Sequence, residues 1–252
     1  MDIKQEDTLL TRVQQEKEHH ISNGIYHHIQ IELTYNSNHI EGSQLTHDQT
    51  RYIFETNTIG VEQNTSINVD DIMETANHFR CIDAVIDNAV NPLTPKFIKT
   101  LHCILKTGTS DSRKEWFAVG EYKRLPNEVG GNPTTLPEEV PAAVESLLQS
   151  YESKTNVSIR DIIELHVQFE QIHPFQDGNG RVGRLLLFKE YLRHQIVPVI
   201  VTDDLKYFYY RGLSEWSNEP GYLLDTCGTG QDRFCKVLDY FRIPYDRNTI
   251  IP

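Results

Sequence analysis

The sequence predicts a mainly α-helical protein with one short β-hairpin, and two observations support that fold class. Apolar residues recur at helical spacing on both sides of a polar, glycine-rich stretch at residues 173–184. Residues 116–137 instead mix aromatic and branched apolar residues with glycine and proline, a composition typical of strands and turns. The apolar positions of the flanking helices are Ile159, Ile162, Ile163, Leu165, Phe169 and Ile172 before the stretch, and Leu185, Leu186, Phe188, Tyr191 and Leu192 after it.

The polar stretch is predicted to be the turn of a helix–loop–helix unit. It reads His173-Pro174-Phe175-Gln176-Asp177-Gly178-Asn179-Gly180-Arg181-Val182-Gly183-Arg184. The proline favours a helix end directly before it. The glycines allow backbone N–H groups to turn inward, and the next helix points its positive N-terminus at the loop. A stable fold does not require this mixture of side chains, so the stretch predicts a site for polyphosphate and metal.

Two side chains of the loop have the chemistry of a catalytic centre. His173, at the mouth of the turn, can take a proton from an attacking hydroxyl at neutral pH. Asp177 offers a hard oxygen ligand to a magnesium ion that keeps its waters and bridges phosphates. Phe175, between them, is predicted to anchor the loop in the core.

The remaining polar residues of the loop predict anion binding. Gly178, Asn179 and Gly180 can form a nest of backbone N–H groups, and the Asn179 side chain can either donate to the anion or cap the next helix. Arg181 and Arg184 are three residues apart and therefore share one side of that helix. Two forked cations in this arrangement suit neighbouring phosphates.

This stretch resembles the signature of Fic-domain proteins, HxFx(D/E)GNGRxxR, and every specified position of the signature is filled. The resemblance implies a compact helical Fic core with a β-hairpin flap. It also implies transfer of AMP from ATP to a Ser, Thr or Tyr hydroxyl of a protein. By this resemblance His173 is the general base and Asp177 holds Mg²⁺. Residues 178–180 hold the phosphates, and Arg181 and Arg184 bind the outer ones.

The predicted hairpin resembles the Fic flap from Gly120 to Gly131. In the family, the flap aligns the target's hydroxyl-bearing segment by main-chain pairing. The resemblance assigns this docking role to Val129, Gly130 and Gly131. Any exposed strand edge can pair with an extended peptide. A surface hairpin with no role in binding is the alternative interpretation.

A second, shorter motif predicts regulation. Ser37-Asn38-His39-Ile40-Glu41-Gly42 closes a helical stretch, with Gly42 suited to follow the helix end and Thr46 suited to open the next helix. The segment resembles the family's inhibitory-helix motif, (S/T)xxxE(G/N), and places the inhibitory helix at about residues 31–42. The resemblance implies that Glu41 pairs with Arg184 and takes the fork that should hold the γ-phosphate. An exposed glutamate before a helix stop is the alternative.

Three further residues near the predicted site have less specific signals. His166 lies two turns before His173, and we expect a core histidine that is hydrogen-bonded to the flap or a loop. Tyr209 and Tyr210 match a double-tyrosine position of many Fic cores, close to the nucleotide base. A stacking role for one of them follows from that resemblance.

The chain of 252 residues is long enough to bury a sizeable core. A Pro-rich break at residues 91–95 precedes a helical pattern and predicts a division into three segments. Residues 1–90 form an N-terminal helical region, residues 91–215 form the Fic catalytic core, and residues 216–252 form a C-terminal extension without a recognisable pattern.

The net charge and the cysteine spacing restrict the kinds of partner and the cellular compartment that the sequence predicts. The net charge of −12 argues against a grip on nucleic acid, because phosphate binding requires a basic face. The sequence has neither a secretory signal pattern nor a membrane span, so no membrane partner is expected. The four cysteines lack zinc spacing, which favours reduced thiols in a cytoplasmic protein. A homodimer is left open.

The predicted function is therefore an autoinhibited protein adenylyltransferase that uses Mg²⁺ and ATP and modifies a protein hydroxyl, including its own. Transfer of UMP, phosphocholine or phosphate, and removal of AMP, are the alternatives within enzymes. Arg184 favours AMP, because the phosphate-transferring branch of the family lacks the full Arg-x-x-Arg ending. A module that only binds nucleotide or protein is the alternative from another class. The presence of His173 and Asp177 argues against it, since binding requires no base.

Overall fold

Ten α-helices and one two-stranded antiparallel hairpin make up the regular structure of the residues that the computed structural model describes, namely 7–61, 63 and 66–251. The helices are α1 (Leu9–Glu18), α2 (Ile25–Ile40), α3 (His47–Thr56), α4 (Val69–Asp87), α5 (Pro95–Lys106), α6 (Val140–Glu152), α7 (Ile159–Ile172), α8 (Asn179–Arg193), α9 (Lys206–Ser214) and α10 (Gly221–Phe241). The strands are β1 (Glu128–Val129) and β2 (Asn132–Pro133). The predicted fold class, mainly α with one hairpin, is confirmed.

The helices begin and end where local chemistry favours it. Thr46 caps α3 through a reciprocal pair of hydrogen bonds with Gln49, as its position before Asp48 predicts. Thr94 caps α5, which starts at Pro95, so the predicted break is present. The inhibitory-helix motif lies at the end of a longer helix than expected, because α2 starts at Ile25 rather than near residue 31.

The two helices around the polar loop lie at the centre of the molecule. α8 packs along α7 and also contacts α2, α4 and α5. Nearly every side chain of α8 from Arg181 to Leu192 is buried, including Lys189 and Glu190, which form an ion pair. A helix covered on all sides has a fixed position. Its N-terminus, and the loop before it, are therefore held rigidly.

The segment after residue 215 is part of the same core. α10 packs on α9 and contributes Leu223, Cys227, Phe234 and Leu238 to the main hydrophobic cluster, which also contains residues of α1, α2 and α4–α8. Gln231 of α10 is buried and donates to the carbonyl of Val197 at 2.7 Å. The three segments distinguished in the sequence thus share one hydrophobic core.

The hairpin is much shorter than the stretch that predicted it. Val129 pairs with Asn132, and Gly130 and Gly131 form the two-residue turn between the strands. Both glycines have positive φ, 58° and 80°, as a tight hairpin turn requires. The rest of residues 116–137 is irregular. No helix among the described residues is both long and apolar enough to cross a membrane.

Candidate active site at the loop between α7 and α8

The loop between α7 and α8 starts and ends with residues in the left-handed backbone region. His173 ends α7 with φ 51°, which is uncommon for a residue with a side chain. Gly178 precedes α8 with φ 81°. Phe175 is fully buried, as expected for an anchor, and its ring stacks on that of His102 from α5 with the ring centroids 4.0 Å apart.

His102 connects the loop to the start of the flap segment. Its Nδ1 accepts a hydrogen bond from the N–H of Gly120 at 3.0 Å, so its Nε2 carries the proton and donates to the main-chain oxygen of Asp177 at 3.2 Å. Burial, together with the nearby Lys106 ammonium, lowers the pKa of His102 to about 4. A neutral imidazole is thus fixed between the two segments that were predicted to bind metal and target.

His173 is placed as a base would need to be. Its Nδ1 lies 3.3 Å from the main-chain oxygen of Glu170, which assigns the proton to Nδ1 and leaves Nε2 with a free lone pair. Burial lowers the pKa of His173, so the imidazole is neutral at pH 7. The geometry therefore provides a proton acceptor at the mouth of the loop.

Glu170 is a residue of this site that the sequence did not single out. Its carboxyl lies 4.0 Å from His173 Nδ1, and its Oε1 is buried without a hydrogen-bond partner among the described residues. Burial raises the pKa of Glu170 to about 8. The group is therefore protonated at neutral pH and adds no negative charge beside the base.

Asn179 has a different role from the two that its sequence position suggested. Its side chain accepts from the N–H of Phe175 and donates to the carbonyl of Phe175, both at 2.8 Å. Both ends of the amide are used within the loop, so it neither points a donor outward nor caps α8, for which the cap position is Gly178. Asn179 instead holds the loop closed. The backbone N–H groups of the first turn of α8 have no partner within the helix and stay suited to an anion.

The Glu41 carboxylate lies directly on that first turn. A Cβ atom at Gly180 would clash with Glu41 Oε1, so only glycine allows this approach. Glu41 Oε1 accepts from Arg184 Nη2 at 2.7 Å, which is the expected ion pair. Ser37 accepts from the same arginine twice, at Oγ from Nε at 3.0 Å and at its main-chain oxygen from Nη2 at 2.9 Å. The end of α2 thus presents a carboxylate at the predicted phosphate position.

Arg181 and Asp177 belong to a cluster of ion pairs in which Arg181 is buried and Asp177 is half exposed. Arg181 pairs with Glu74 of α4 and with Asp177, and Asp177 also accepts from Lys106 of α5 at 2.7 Å. Although burial alone would raise it, the charges of Arg181 and Lys106 lower the pKa of Asp177 to about 2. Glu74 and Lys106 were not predicted from the sequence. A single Glu and a single Lys on amphipathic helices are common on surfaces, and no local signal separates these two from the others.

The Asp177 carboxylate fits a magnesium ion that is shared with phosphates. The side chain is half exposed, and it is ionised because of the surrounding cations. Among the described residues, no group of three or more His, Cys, Asp or Glu side chains could hold a metal alone. Mg²⁺ commonly keeps several waters and takes only one or two carboxylates together with substrate phosphates. The donor set therefore suits a metal that arrives with a nucleotide.

The two predicted tyrosines have different environments. Tyr209 is 1% exposed, and its hydroxyl lies 2.7 Å from Nε2 of His166. The partner of His166 is therefore Tyr209, not the flap or a loop as expected. Tyr210 is partly exposed, and its hydroxyl donates to the carbonyl of Ile40 at 3.3 Å. Of the pair, Tyr210 is the exposed ring, whereas the ring of Tyr209 is buried with its centroid 5.8 Å from the guanidinium carbon of Arg184.

The flap segment is tied to the catalytic loop by several hydrogen bonds. The N–H of Lys123 donates to the carbonyl of Pro174 at 2.8 Å, and the side chain of Asn127 donates to the carbonyl of Phe175 at 3.0 Å. Leu125 N–H donates to the side chain of Gln176 at 3.2 Å. The hairpin tip, with Val129 at 44% exposure, projects beyond these contacts and leaves its edges free.

Comparison with known proteins adds independent information. Residues 92–190 match the model of the Fic/DOC family. The sequence is 29% identical to the protein adenylyltransferase Fic of Aedes aegypti over 183 residues, which is 71% of this chain and 36% of that protein. It is 30% identical to the protein adenylyltransferase Fic of Drosophila melanogaster over 182 residues, with the same coverage of 71% and 36%. The chain thus spans about a third of the length of these curated relatives.

Solved structures share the fold. A Fic domain-containing signalling protein from Bacteroides thetaiotaomicron superposes with a TM-score of 0.67 at 25% identity, over 92% of this chain and 90% of that chain. Fic-1 from C. elegans superposes with a TM-score of 0.68 at 19% identity, over 92% of this chain and 72% of that one. The likeness therefore extends beyond the stretch matched by the family model, to the helices that surround it.

Proposed function

We propose, from the match of residues 92–190 to the Fic/DOC family model, that this chain is a protein adenylyltransferase. It transfers AMP from ATP to a Ser, Thr or Tyr hydroxyl of a protein and is restrained by its own helix α2. One observation supports the proposal most directly. A neutral histidine and a helix start suited to an anion stand at the two ends of one short loop, and in-line transfer needs a base and a phosphate site held together.

In the proposed reaction, the target hydroxyl attacks the α-phosphorus of ATP. A bond forms between the hydroxyl oxygen and that phosphorus, the bond to the bridging oxygen breaks, and pyrophosphate leaves. The hydroxyl proton passes to Nε2 of His173, which is the free nitrogen of the ring. The flap holds the segment that carries the hydroxyl, because its contacts with the loop fix the tip relative to His173.

The developing charge on the phosphates is stabilised by this chain's own groups. The N–H groups at the start of α8 face the anion, and Arg184 and Arg181 supply forked cations. A magnesium ion bound with ATP would add Lewis-acid stabilisation of the phosphate oxygens, with Asp177 as its protein ligand. ATP and a protein are therefore the proposed substrates, and Mg²⁺ is the proposed cofactor.

The restraint comes from the competition between a carboxylate and a phosphate. Glu41 occupies the start of α8 and pairs with Arg184, so a nucleotide can place its γ-phosphate there only after Glu41 has moved. Removal of Glu41 is therefore expected to raise the transfer rate. Removal of Arg184 is not, because the phosphate ligand is lost along with the inhibitory ion pair.

The experiment follows the transfer of label from α-labelled ATP in the presence of Mg²⁺. Wild type, Glu41→Gly and Glu41→Gly/His173→Ala are incubated side by side, and incorporation into protein is measured together with intact mass. Glu41→Gly should gain one AMP mass or more per chain by self-modification, while wild type stays nearly unmodified. The double variant should lose on the order of 10²–10⁴ in rate and retain nucleotide affinity.

Three outcomes would each contradict a part of the proposal. Equal incorporation by wild type and Glu41→Gly would remove the inhibitory role of Glu41 and leave the transfer reaction standing. A mass gain from UTP or CDP-choline but not from ATP would replace AMP as the transferred group. Incorporation that persists without His173 would remove it as the base.

A further inference from the structure

Glu74 lies at the junction between the predicted metal ligand and the first phosphate arginine. Its two carboxylate oxygens are divided between two cations: Oε1 accepts from Lys106 at 2.6 Å, and Oε2 pairs with Arg181. Lys106 is 2% exposed and also contacts Asp111 at 2.8 Å and Asp177 at 2.7 Å. None of these contacts involves the residues that carry the proposed proton transfer.

The same two cations also hold the Asp177 carboxylate. Asp177 Oδ2 accepts from Lys106 at 2.7 Å and from Arg181 at 3.3 Å. A divalent cation that approaches this oxygen is repelled by both positive charges. Its affinity therefore depends on how strongly Lys106 and Arg181 are held by other partners. Apart from Asp177 itself, Glu74 is the one carboxylate among the described residues that pairs with both.

We propose that Glu74 is a positioning residue for the metal–nucleotide complex, because it holds Lys106 and Arg181 and so releases Asp177 to the metal. This inference rests on the proposed function. With Glu74 in place, each cation has a carboxylate partner when the metal takes Asp177. Without Glu74, Arg181 has Asp177 as its remaining carboxylate partner in the cluster, and the metal must displace it.

Asp111 provides a matched control. It contacts Lys106 at 2.8 Å, as Glu74 does, but it also pairs with the exposed Lys114 and makes no contact with Arg181. Asp111→Asn therefore removes the same formal charge from the cluster without freeing Arg181. A general effect of charge would appear in both variants, whereas the proposed positioning effect belongs to Glu74 alone.

The test measures how much Mg²⁺ tightens nucleotide binding. All variants are made in the Glu41→Gly background, and the Kd of a non-transferable α,β-methylene analogue of ATP is determined by calorimetry with Mg²⁺ and with EDTA. The ratio of the two Kd values reports the metal's contribution separately from turnover. Glu74→Gln should reduce this ratio on the order of 10-fold, the usual scale for a residue that orients a metal ligand. Asp111→Asn should change it by less than about 2-fold.

A second variant tests the mechanism and guards against misfolding. Glu74→Gln/Lys106→Met removes both members of a buried pair, which proteins tolerate better than the loss of one. Lys106 is one of the two cations that hold Asp177, so its removal in this double variant should recover part of the lost ratio, while Arg181 stays paired with Asp177. Thermal melts confirm that each variant is folded.

Each outcome has one meaning. An unchanged ratio in Glu74→Gln, or an equal loss in Asp111→Asn, overturns the positioning role while the proposed function stands. Failure of the Lys106→Met change to restore any part of the ratio also overturns it. If the Glu41→Gly parent binds no nucleotide at all, the proposed function fails and this inference fails with it.

Discussion

At the scale of single residues, neighbouring titratable groups of the site have different protonation states. His173 is kept neutral by burial, and Glu170 beside it is kept protonated for the same reason. Asp177, four residues further along the chain, is kept ionised by Lys106 and Arg181. Burial and specific charge partners thus set the protonation states of three titratable groups at the end of α7 and in the loop after it.

The state of His173 predicts the acid limb of the pH profile. The base acts in its unprotonated form, so activity is present above the folded pKa and is lost as pH falls through it. Because burial lowers that pKa, transfer by Glu41→Gly should be flat above about pH 7 and reach half its maximum below about pH 6.5. Label incorporation across this range, with a melt at each pH, measures it. A midpoint above pH 7 would contradict the assigned environment.

The raised pKa of Glu170 predicts that replacing this residue by Gln stabilises the protein at high pH. Its folded pKa of about 8 lies above the ordinary carboxyl value, so the native state holds a proton that the unfolded chain has released. The free energy of unfolding therefore falls as pH rises through that window. Gln copies the protonated form. Glu170→Gln should raise Tm at pH 8 by at least about 2 °C and leave Tm nearly unchanged at pH 5. The opposite trend in differential scanning calorimetry would show that Glu170 is ionised in the native state.

At the scale of elements, the flap and the catalytic loop behave as one unit because Lys123 connects them. Its ammonium donates to Asn127 at 2.7 Å, to Thr134 at 2.6 Å and to the carbonyl of Ile172 at 3.4 Å. These are neutral acceptors on both sides of the hairpin and at the end of α7. Burial lowers the pKa of Lys123 to about 8. A buried lysine with neutral partners is costly, and its position favours a role in holding the flap.

Lys123→Met should loosen the flap without opening the nucleotide site. Thr134 Oγ1 and the carbonyl of Ile172 lose the ammonium as a donor, while Asn127 Oδ1 keeps Thr134 Oγ1. A group left unsatisfied costs about 1–3 kcal/mol in stability. In the Glu41→Gly background we expect self-modification to fall roughly 10-fold, which corresponds to about 1.4 kcal/mol. Nucleotide Kd should change less than about 2-fold.

Lys123→Arg, which retains the charge and the donors, is the matched control. Its rate of self-modification should lie between those of the Glu41→Gly parent and of Lys123→Met. An equal loss of nucleotide binding and transfer in Lys123→Met would indicate that Lys123 supports the whole loop rather than the flap.

At the scale of the whole molecule, helices from both ends of the described sequence pack on the helices around the loop between α7 and α8. α2 brings Glu41 and Ser37 to α8, and α10 covers α9 and supplies buried Leu223, Phe234 and Leu238. α2 and α10 are both held in place by the hydrophobic core that they share with the helices of the site. The contact between Glu41 and Arg184 therefore depends on the intact fold.

A protein that ends at residue 215 should not fold cooperatively. Truncation removes α10, and each large apolar side chain buried by it contributes about 1.5–3 kcal/mol. The sum is comparable with the total stability of a typical domain, about 5–15 kcal/mol. Circular dichroism melts should show no cooperative transition for the truncated chain. Tyr240→Ser, at a position of α10 that is 79% exposed, should leave Tm within about 2 °C of wild type. A truncated chain with a normal melt would show that α10 is dispensable.

The sequence by itself determined the features that depend on neighbouring residues. The helix end before Pro174, the positive-φ glycines of the turn, the start of α3 at Thr46 and the helical spacing around the loop are all local, and the structure has each of them. The order of chemistry-bearing residues from His173 to Arg184 is local as well. Each of these follows from backbone sterics, capping and periodicity within a few residues.

Only the tertiary structure decided which distant groups complete the site. Glu74 and Lys106 reach Asp177 and Arg181 from other helices, and Lys123 reaches the end of α7 from the flap. Asn179 turned inward because Phe175 offered it both a donor and an acceptor. These outcomes depend on burial and on contacts between segments far apart in the chain, which set charge state and hydrogen-bond partners and leave no periodic or local signal in the sequence.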